Sequence, residues 1–368
     1  MTVDLFGISG GTVAVAASAA SVGSAAAVFG IRRLIQMGQF SYHNARISTI
    51  GNPYVTKEEV LPLLDMDSPS DIVKSLHGDM AVSDEIRSFQ EIDSALIKAL
   101  HQSTSSMVQD TPAAVRPIVS SFVRKYEGDE VKRLLRMIGT RTEPMYPVGT
   151  VNSDLEISIL NSPGIPQALE VLENHPLGVE IKKSLGQDEQ SLKRIDMIID
   201  SHVIGHFLDT GPFPRYCRRG ARALGDIISD RFNIAAIIQG KAMGLDKEKI
   251  MGMLKTRGGI IGLPTLEQMV DSSSVKDAVS VLSGTHLERY LKDEADKGVT
   301  RMETALDRML LDGSVGLSSS YSTNVGPTIR YLVSREMEMK NLRTVFRSAF
   351  SRWNKDKTRG LLVLQEGF

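Results

Sequence analysis

Thr328–Phe350 reads TIRYLVSREMEMKNLRTVFRSAF, and how this stretch is read decides the fold. Ile329, Leu332, Val333, Met337, Met339, Leu342, Val345, Phe346 and Ala349 recur at intervals of three and four, the period of a helix with one buried face. The same period marks Lys57–Leu64, Glu130–Ile138, Leu192–His206, Asn233–Met243, Lys247–Leu254, Val275–Leu282 and His286–Leu311. Start signals agree: Thr56 precedes Lys57-Glu58-Glu59, and Ser70-Asp71 precedes Ile72. Pro53, Pro69, Pro144, Pro147, Pro163, Pro166, Pro176 and Gly258-Gly259 punctuate the helices. Alternating patterns are scarce, so an all-α fold is expected.

The chain has 368 residues, 42 % of them apolar and 24 % charged, which is enough for a sizeable core and for more than one subdomain. Its formal net charge is −1, which argues against a protein built to coat nucleic acid. The one cysteine, Cys217, excludes an internal disulfide framework and a thiolate zinc site.

From Leu5 to Ile31 no residue is charged, and Arg32-Arg33 follow at once. As a helix this run would be roughly 40 Å long at ~1.5 Å per residue, more than the ~30 Å core of a bilayer. The basic flank would place the body of the protein in the cytoplasm. Residues 13–29 are mostly Ala, Ser, Gly and Val, which suits a membrane helix packed against other protein. A buried soluble helix and an uninserted leader are the alternatives.

Internal repetition is also visible. Glu130-Val131-x-x-Leu134-Leu135 resembles Asn233-Ile234-x-x-Ile237-Ile238. Gly149 precedes Leu169 and Leu172 as Gly259 precedes Val279 and Leu282, with an offset of 110 residues in each case. A shorter unit with Val60, Leu63, Leu64, Ile72, Val73 and Leu76 comes first. Helical units are expected over 36–115, 116–225 and 226–350, flanked by the apolar leader 1–35 and a basic tail 351–368.

No arrangement of residues makes a convincing active site. His202 and His206, four residues apart, have zinc-binding spacing, but Val203 stands where a metalloprotease needs Glu, and no third ligand is evident. There is no Gly-Lys-Ser/Thr phosphate loop, and Gly7-Ile8-Ser9-Gly10-Gly11 opens an apolar run without a preceding strand, which makes a dinucleotide reading poor. Arg215, Arg218, Arg219 and Arg222 surround Cys217 and could lower its pKa or hold an anion. Lys340–Arg359 holds seven basic residues against one acid, a second surface for an acidic partner or lipid head groups. Both basic stretches also fit solvated helix faces.

Glu338, Asn341, Leu342 and Arg343 resemble the C-terminal signature of one family, the C subunits of archaeal A-type ATP synthases, which correspond to the d subunits of V-type ATPases. Tyr42-His43-Asn44-Ala45-Arg46, Tyr126 through Arg136, and Asn233-Ile234 with Lys241 and Gly258-Gly259 are similar to other family segments, in the family's order. The resemblance implies a funnel of three similar helical units about a pseudo-threefold axis. It implies a non-catalytic central-rotor subunit without cofactor or metal, one copy per complex. Such a subunit seats on the cytoplasmic face of a proteolipid ring, receives central-stalk subunits, and couples ion flow to ATP synthesis or hydrolysis. Tyr42, Asn44, Arg46, Asn233, Lys241, Glu338, Asn341 and Arg343 are the partner-binding residues it suggests. Gln239 departs from the family's usual Arg, and the leader before Gln36 is an addition. The competing reading is a membrane-anchored helical scaffold whose basic C-terminus holds acidic protein partners.

Overall fold

The computed structural model describes residues 31–365 apart from 32–33, 36, 81, 84–87, 141–147, 186–191 and 257. Apart from Ile31, Leu34 and Ile35, the apolar leader 1–35 lies outside the described residues, as do Pro144 and Pro147. Helix α1 covers 37–50, followed by α2 (Lys57–Asp65), α3 (Pro69–Ser75), α4 (Phe89–Asp110) and α5 (Arg116–Thr140). Next come α6 (Ser153–Leu160), α7 (Ile165–Val171), α8 (Pro176–Ser184), α9 (Leu192–Leu208) and α10 (Arg215–Ala242). The last are α11 (Lys247–Met251), α12 (Leu263–Asp271), α13 (Val275–Ser280), α14 (Glu288–Leu291), α15 (Val299–Ser320), α16 (Gly326–Ser351) and α17 (Lys355–Arg359). Among the described residues there is no strand, and the protein is all-α.

Local chemistry sets most of these ends. Ser88 caps α4 by accepting from the Glu91 N–H at 3.2 Å. Pro327 starts α16, where its missing N–H costs nothing, and Arg352 ends it in the left-handed region at φ 50°. One helix expected from the sequence is divided. His286–Leu311 becomes α14, a 3-10 turn at Lys292–Glu294 and then α15, because Gly298 sits at φ 94° and interrupts the path. Helix α15 then continues nine residues beyond Leu311, to Ser320.

The six long helices close on themselves. Helix α4 packs on α5, α5 on α9, α9 on α10, α10 on α15, α15 on α16, and α16 returns to α4. Phe122 of α5 meets Phe207 of α9 edge-on with ring centroids 5.1 Å apart. Where α10 crosses the end of α9, a Cβ on Gly225 would lie 2.6 Å from the Phe207 carbonyl oxygen, so glycine permits the approach.

Two apolar cores support this ring. The larger draws on residues from Phe40 to Leu224 and again from Leu310 to Val363. The smaller runs from Ile234 to Met309, so the two halves of α10 serve different cores.

The 110-residue offset persists in the packing. Gly149 and Gly259 both take positive φ, 78° and 99°. Ile159 and Met269, Ala168 and Ala278, and Leu172 and Leu282 are pairs of fully buried residues. His175 Nδ1 accepts from the Leu177 N–H at 3.3 Å, and Thr285 Oγ1 accepts from the Leu287 N–H at 3.3 Å. Leu63, Ile72 and Leu76, 96 residues before Ile159, Ala168 and Leu172, are buried too.

Candidate partner-binding cavity and its loop clasps

Each set of short helices begins at a loop whose backbone N–H groups need partners. A carboxylate supplies them in all three cases. Glu338 accepts from the Tyr54 N–H at 3.1 Å and from Asn52 Nδ2 at 3.2 Å. Glu156 accepts from the N–H groups of Val148, Gly149, Thr150 and Val151 at 2.7–3.1 Å. Asp230 accepts from Ile260 at 2.9 Å and Ile261 at 3.1 Å. Burial raises the carboxyl pKa of both Glu338 and Asp230, and these hydrogen bonds oppose it. Arg335 also opposes it at Glu338, with a guanidinium nitrogen 2.9 Å away.

Three residues after two of these acids stands an asparagine that clasps a strand of backbone 22 residues ahead. Asn233 donates to the Lys255 carbonyl at 2.9 Å and accepts from the Lys255 N–H at 2.8 Å. Asn341 donates to the Val363 carbonyl at 2.8 Å, accepts from the Val363 N–H at 2.7 Å, and donates to the Tyr54 carbonyl at 2.8 Å. Both asparagines are buried. Lys241 donates to the carbonyls of Val270, at 2.8 Å, and Ser272 near the end of α12. Asn233, Lys241, Glu338 and Asn341 therefore spend their polar groups inside the chain. The spacing they share with Asp230, Asp/Glu-x-x-Asn, was the signal that would have identified Asp230 from sequence.

The α1 residues are placed differently. Tyr42 is exposed, Arg46 pairs with Asp110, and Asn44 donates to the Ser322 carbonyl at 3.3 Å. Buried His43 between them is 3.0 Å from the Thr328 hydroxyl, which joins α1 to α16.

Arg343 lies on the wall of a cavity of about 410 Å3 inside the ring of long helices. Lys125, Lys132, Arg133, Arg136, Arg231, Lys340, Asp129, Glu130, Asp200 and Glu336 share that wall. Ion pairs stitch the helices there. Lys125 of α5 reaches Glu336 of α16 at 2.8 Å, and Lys132 of α5 reaches Asp200 of α9 at 2.6 Å. Arg231 of α10 and Lys340 of α16 both hold Asp307 of α15, at 2.5 and 3.0 Å. Arg343 of α16 grips Asp93 of α4. Burial pushes Asp129, Asp307 and Glu336 upward, but the neighbouring cations more than offset it and hold all three below the usual carboxylate range. Seven cations on the wall face four carboxylates there, and Asp93, Asp196 and Asp307 just outside it pair with Arg343, Arg136 and Arg231. The arrangement forms a polar, charge-lined hollow. Sequence reading passed over this cluster because Lys125, Asp129 and Lys132 repeat at intervals that fit a solvated helix face.

The other candidates resolve as follows. His202 and His206 are in contact, Nε2 to Nε2 at 3.2 Å, and Arg124 lies 2.8 Å from His206 Nδ1. Burial lowers the pKa of both. Among the described residues no group of three His, Cys, Asp or Glu side chains could hold a metal ion. Cys217 is buried and its thiol is pushed up to about 12, which opposes the lowered pKa that four nearby arginines suggested. Much of the basic C-terminal stretch is engaged internally. Lys355 holds Asp67 at 2.6 Å, Arg359 holds Asp65 at 3.1 Å, and Lys340 and Arg343 belong to the cavity. The scaffold reading thus loses much of the cationic surface it required. Among the described residues no helix is long and apolar enough to cross a membrane.

Comparison with known proteins agrees with the motif order. A family model described as ATP synthase (C/AC39) subunit matches residues 43–361. The A-type ATP synthase C subunit of Methanocaldococcus jannaschii is 21 % identical over 351 residues, covering 90 % of this chain and 88 % of the relative. That of Pyrococcus horikoshii is 25 % identical, covering 88 % and 90 %. That of Methanothermobacter thermautotrophicus is 22 % identical, covering 89 % of each. The loop clasps and the closed helical ring are thus features of a member of the ATP synthase (C/AC39) subunit family, to which this chain belongs.

Proposed function

We propose that this chain is the non-catalytic coupling subunit of an A-type ATP synthase, joining the rotating membrane ring to the central stalk. The observation that carries the reading is the family match over residues 43–361. A coupling part must transmit torque without yielding. Close-packed interiors deform little, and ion pairs between neighbouring helices around one hollow add lateral ties.

The finer arrangement is a funnel of three related helical units, 36–115, 116–225 and 226–350, about a pseudo-threefold axis. Support comes from the 110- and 96-residue correspondences and from the closed sequence of helix contacts. Its hollow, lined by Lys125, Asp129 and Arg343, receives the end of the central stalk. Tyr42 and Arg46 contact partners directly, whereas Asn233, Lys241, Glu338 and Asn341 serve by holding the loops that shape the contact surface. One copy seats on the cytoplasmic face of the proteolipid ring. The uncharged run 5–31 inserts within the ring, supported by its small-residue composition.

Affinity purification of the tagged chain from detergent-solubilised membranes tests this reading. Proteolipid and central-stalk subunits should co-purify in fixed ratio; recovery of the chain alone contradicts it. Deleting residues 1–35 should weaken retention of the ring and leave the helical fold intact. Equal retention removes the membrane role of the leader.

A further inference from the structure

Helix α10 begins with two unlike faces. Cys217, Gly220, Ala221 and Leu224 are buried, while Arg215, Arg218, Arg219 and Arg222 are exposed. Positions i, i+3, i+4 and i+7 share one side of a helix, so four guanidiniums crowd two turns. None of them makes an ion pair with a described residue. Arg218 donates one N–H to the Phe213 carbonyl at 2.9 Å. Arg222 continues the stripe towards Asp209 and Asp226, with which it lines an open pocket. Arg215, Arg218 and Arg219, like charges gathered without an ion-pair partner among the described residues, raise the energy of the free protein and favour an anionic ligand.

Beside this basic face lies an uncovered apolar one. Helix α1 meets α10 where Phe40 packs edge-on against Tyr216, ring centroids 6.3 Å apart. Gln39, Arg116 and the segment 212–214 border one open depression there. Within eight residues upstream of Gln39, the helical residues Ile31, Leu34, Ile35 and Met37 are all exposed, Leu34 at 68 %. An acidic protein surface would satisfy the arginines but leave these aliphatic side chains in water. A bilayer with anionic head groups takes both.

We propose that Arg215, Arg218 and Arg219, with the aliphatic side chains of Ile31, Leu34, Ile35 and Met37 at and just before the start of α1, form a membrane-surface site for the phosphate head groups of anionic lipids. The guanidiniums grip phosphate oxygens, for which their paired N–H groups are suited, and the aliphatic side chains enter the boundary between head group and acyl chain. The site goes beyond the coupling role and needs no other subunit, so its failure leaves that role standing.

The test is flotation of the full-length chain with phosphatidylcholine vesicles and with equimolar phosphatidylcholine and phosphatidylglycerol. The wild type should favour the acidic vesicles, and added salt should erase the preference. Arg32 and Arg33 also favour acidic vesicles but are common to the wild type and the variant R215Q/R219Q, so the wild-type-to-variant ratio on acidic vesicles isolates the patch. Each basic residue near an anionic surface is worth about 1 kcal/mol, so R215Q/R219Q should lower binding to acidic vesicles about 30-fold. Because both side chains are exposed, its melting temperature should not change. Equal binding of wild type to both vesicles, or equal binding of the variant and the wild type, overturns the proposal. So does a variant that floats normally but loses its partner subunits, since that assigns the patch to an acidic protein surface.

Discussion

Replacing Asn341 by alanine should destabilise the protein by about 3–5 kcal/mol. The side chain is 1 % exposed and joins three backbone groups: the Tyr54 carbonyl, the Val363 carbonyl and the Val363 N–H. Alanine orphans all three, at about 1–3 kcal/mol each when buried. Water entering the vacated space recovers part of this, which sets the total in the lower half of the summed range. The urea midpoint at constant m-value reports the global loss. Limited trypsin digestion reports the local one. Lys355, Lys357 and Arg359 lie in the segment that ends at the clasp, and cleavage there should accelerate before the ring unfolds. Asn341→Asp keeps the shape but loses the donor, so two carbonyls face a carboxylate and the loss should be at least as large. A change below about 1 kcal/mol in Asn341→Ala, with unchanged digestion, would refute the idea that this motif residue closes the first loop and the C-terminal segment onto α16.

Other expectations follow from the same geometry. Asn233→Ala, which frees two backbone groups of Lys255, should cost about 2–3 kcal/mol by urea denaturation. Lys132→Met leaves Asp200 without its cation and Asp129 with Lys125 alone, at 3.4 Å. The side chains of Asp129 and Asp200 are 49 % and 37 % exposed, so the loss should be about 1–3 kcal/mol, below the ~3–5 of a fully buried pair. Gly225→Ala forces a methyl against the Phe207 carbonyl oxygen at 2.6 Å and should lower stability by about 1–3 kcal/mol. His43, His101, His175, His202 and His206 all have lowered pKa values, chiefly through burial. The unfolded chain then binds more protons, so the melting temperature should fall as pH drops below about 6.5 and rise again on return. His202→Gln/His206→Gln should flatten that slope. Asp129, Asp307 and Glu336 contribute stability that is present above about pH 4 and lost further down, giving a second, acid-side fall.

The helices that carry long apolar side chains at regular spacing were legible, α16 and α9 most of all. Helix α10 was legible only from Asn233, because its first half presents Gly220, Ala221, Gly225 and surface arginines instead of large apolar markers. Those small residues are there for close approach to α9 and to the start of α16, a requirement set by partners far along the chain. Helix α4 was missed for a related reason: Ser103, Thr104, Ser105 and Ser106 dilute its period, though Leu100 and Met107 are buried. Gly298 was visible in the sequence, but its effect depended on a positive φ that spacing does not encode. The motif residues were identified by their order, and their role was not. An asparagine that clasps backbone 22 residues ahead looks, in sequence, like one that faces a partner. The cavity charges were hidden by the same ambiguity, since Lys125 and Asp129 repeat as solvated helix residues do. Only the closing of α16 onto α4 turns them inward.

Mechanical coupling is tested most directly by coupled transport. Membrane-reconstituted ATP synthase should be assembled with and without this chain, and ATP hydrolysis and ATP-driven ion uptake measured on the same vesicles. Without the chain, hydrolysis should continue while ion uptake falls to the passive leak, and adding the chain back should restore uptake. Ion uptake that proceeds undiminished in its absence would contradict a coupling role.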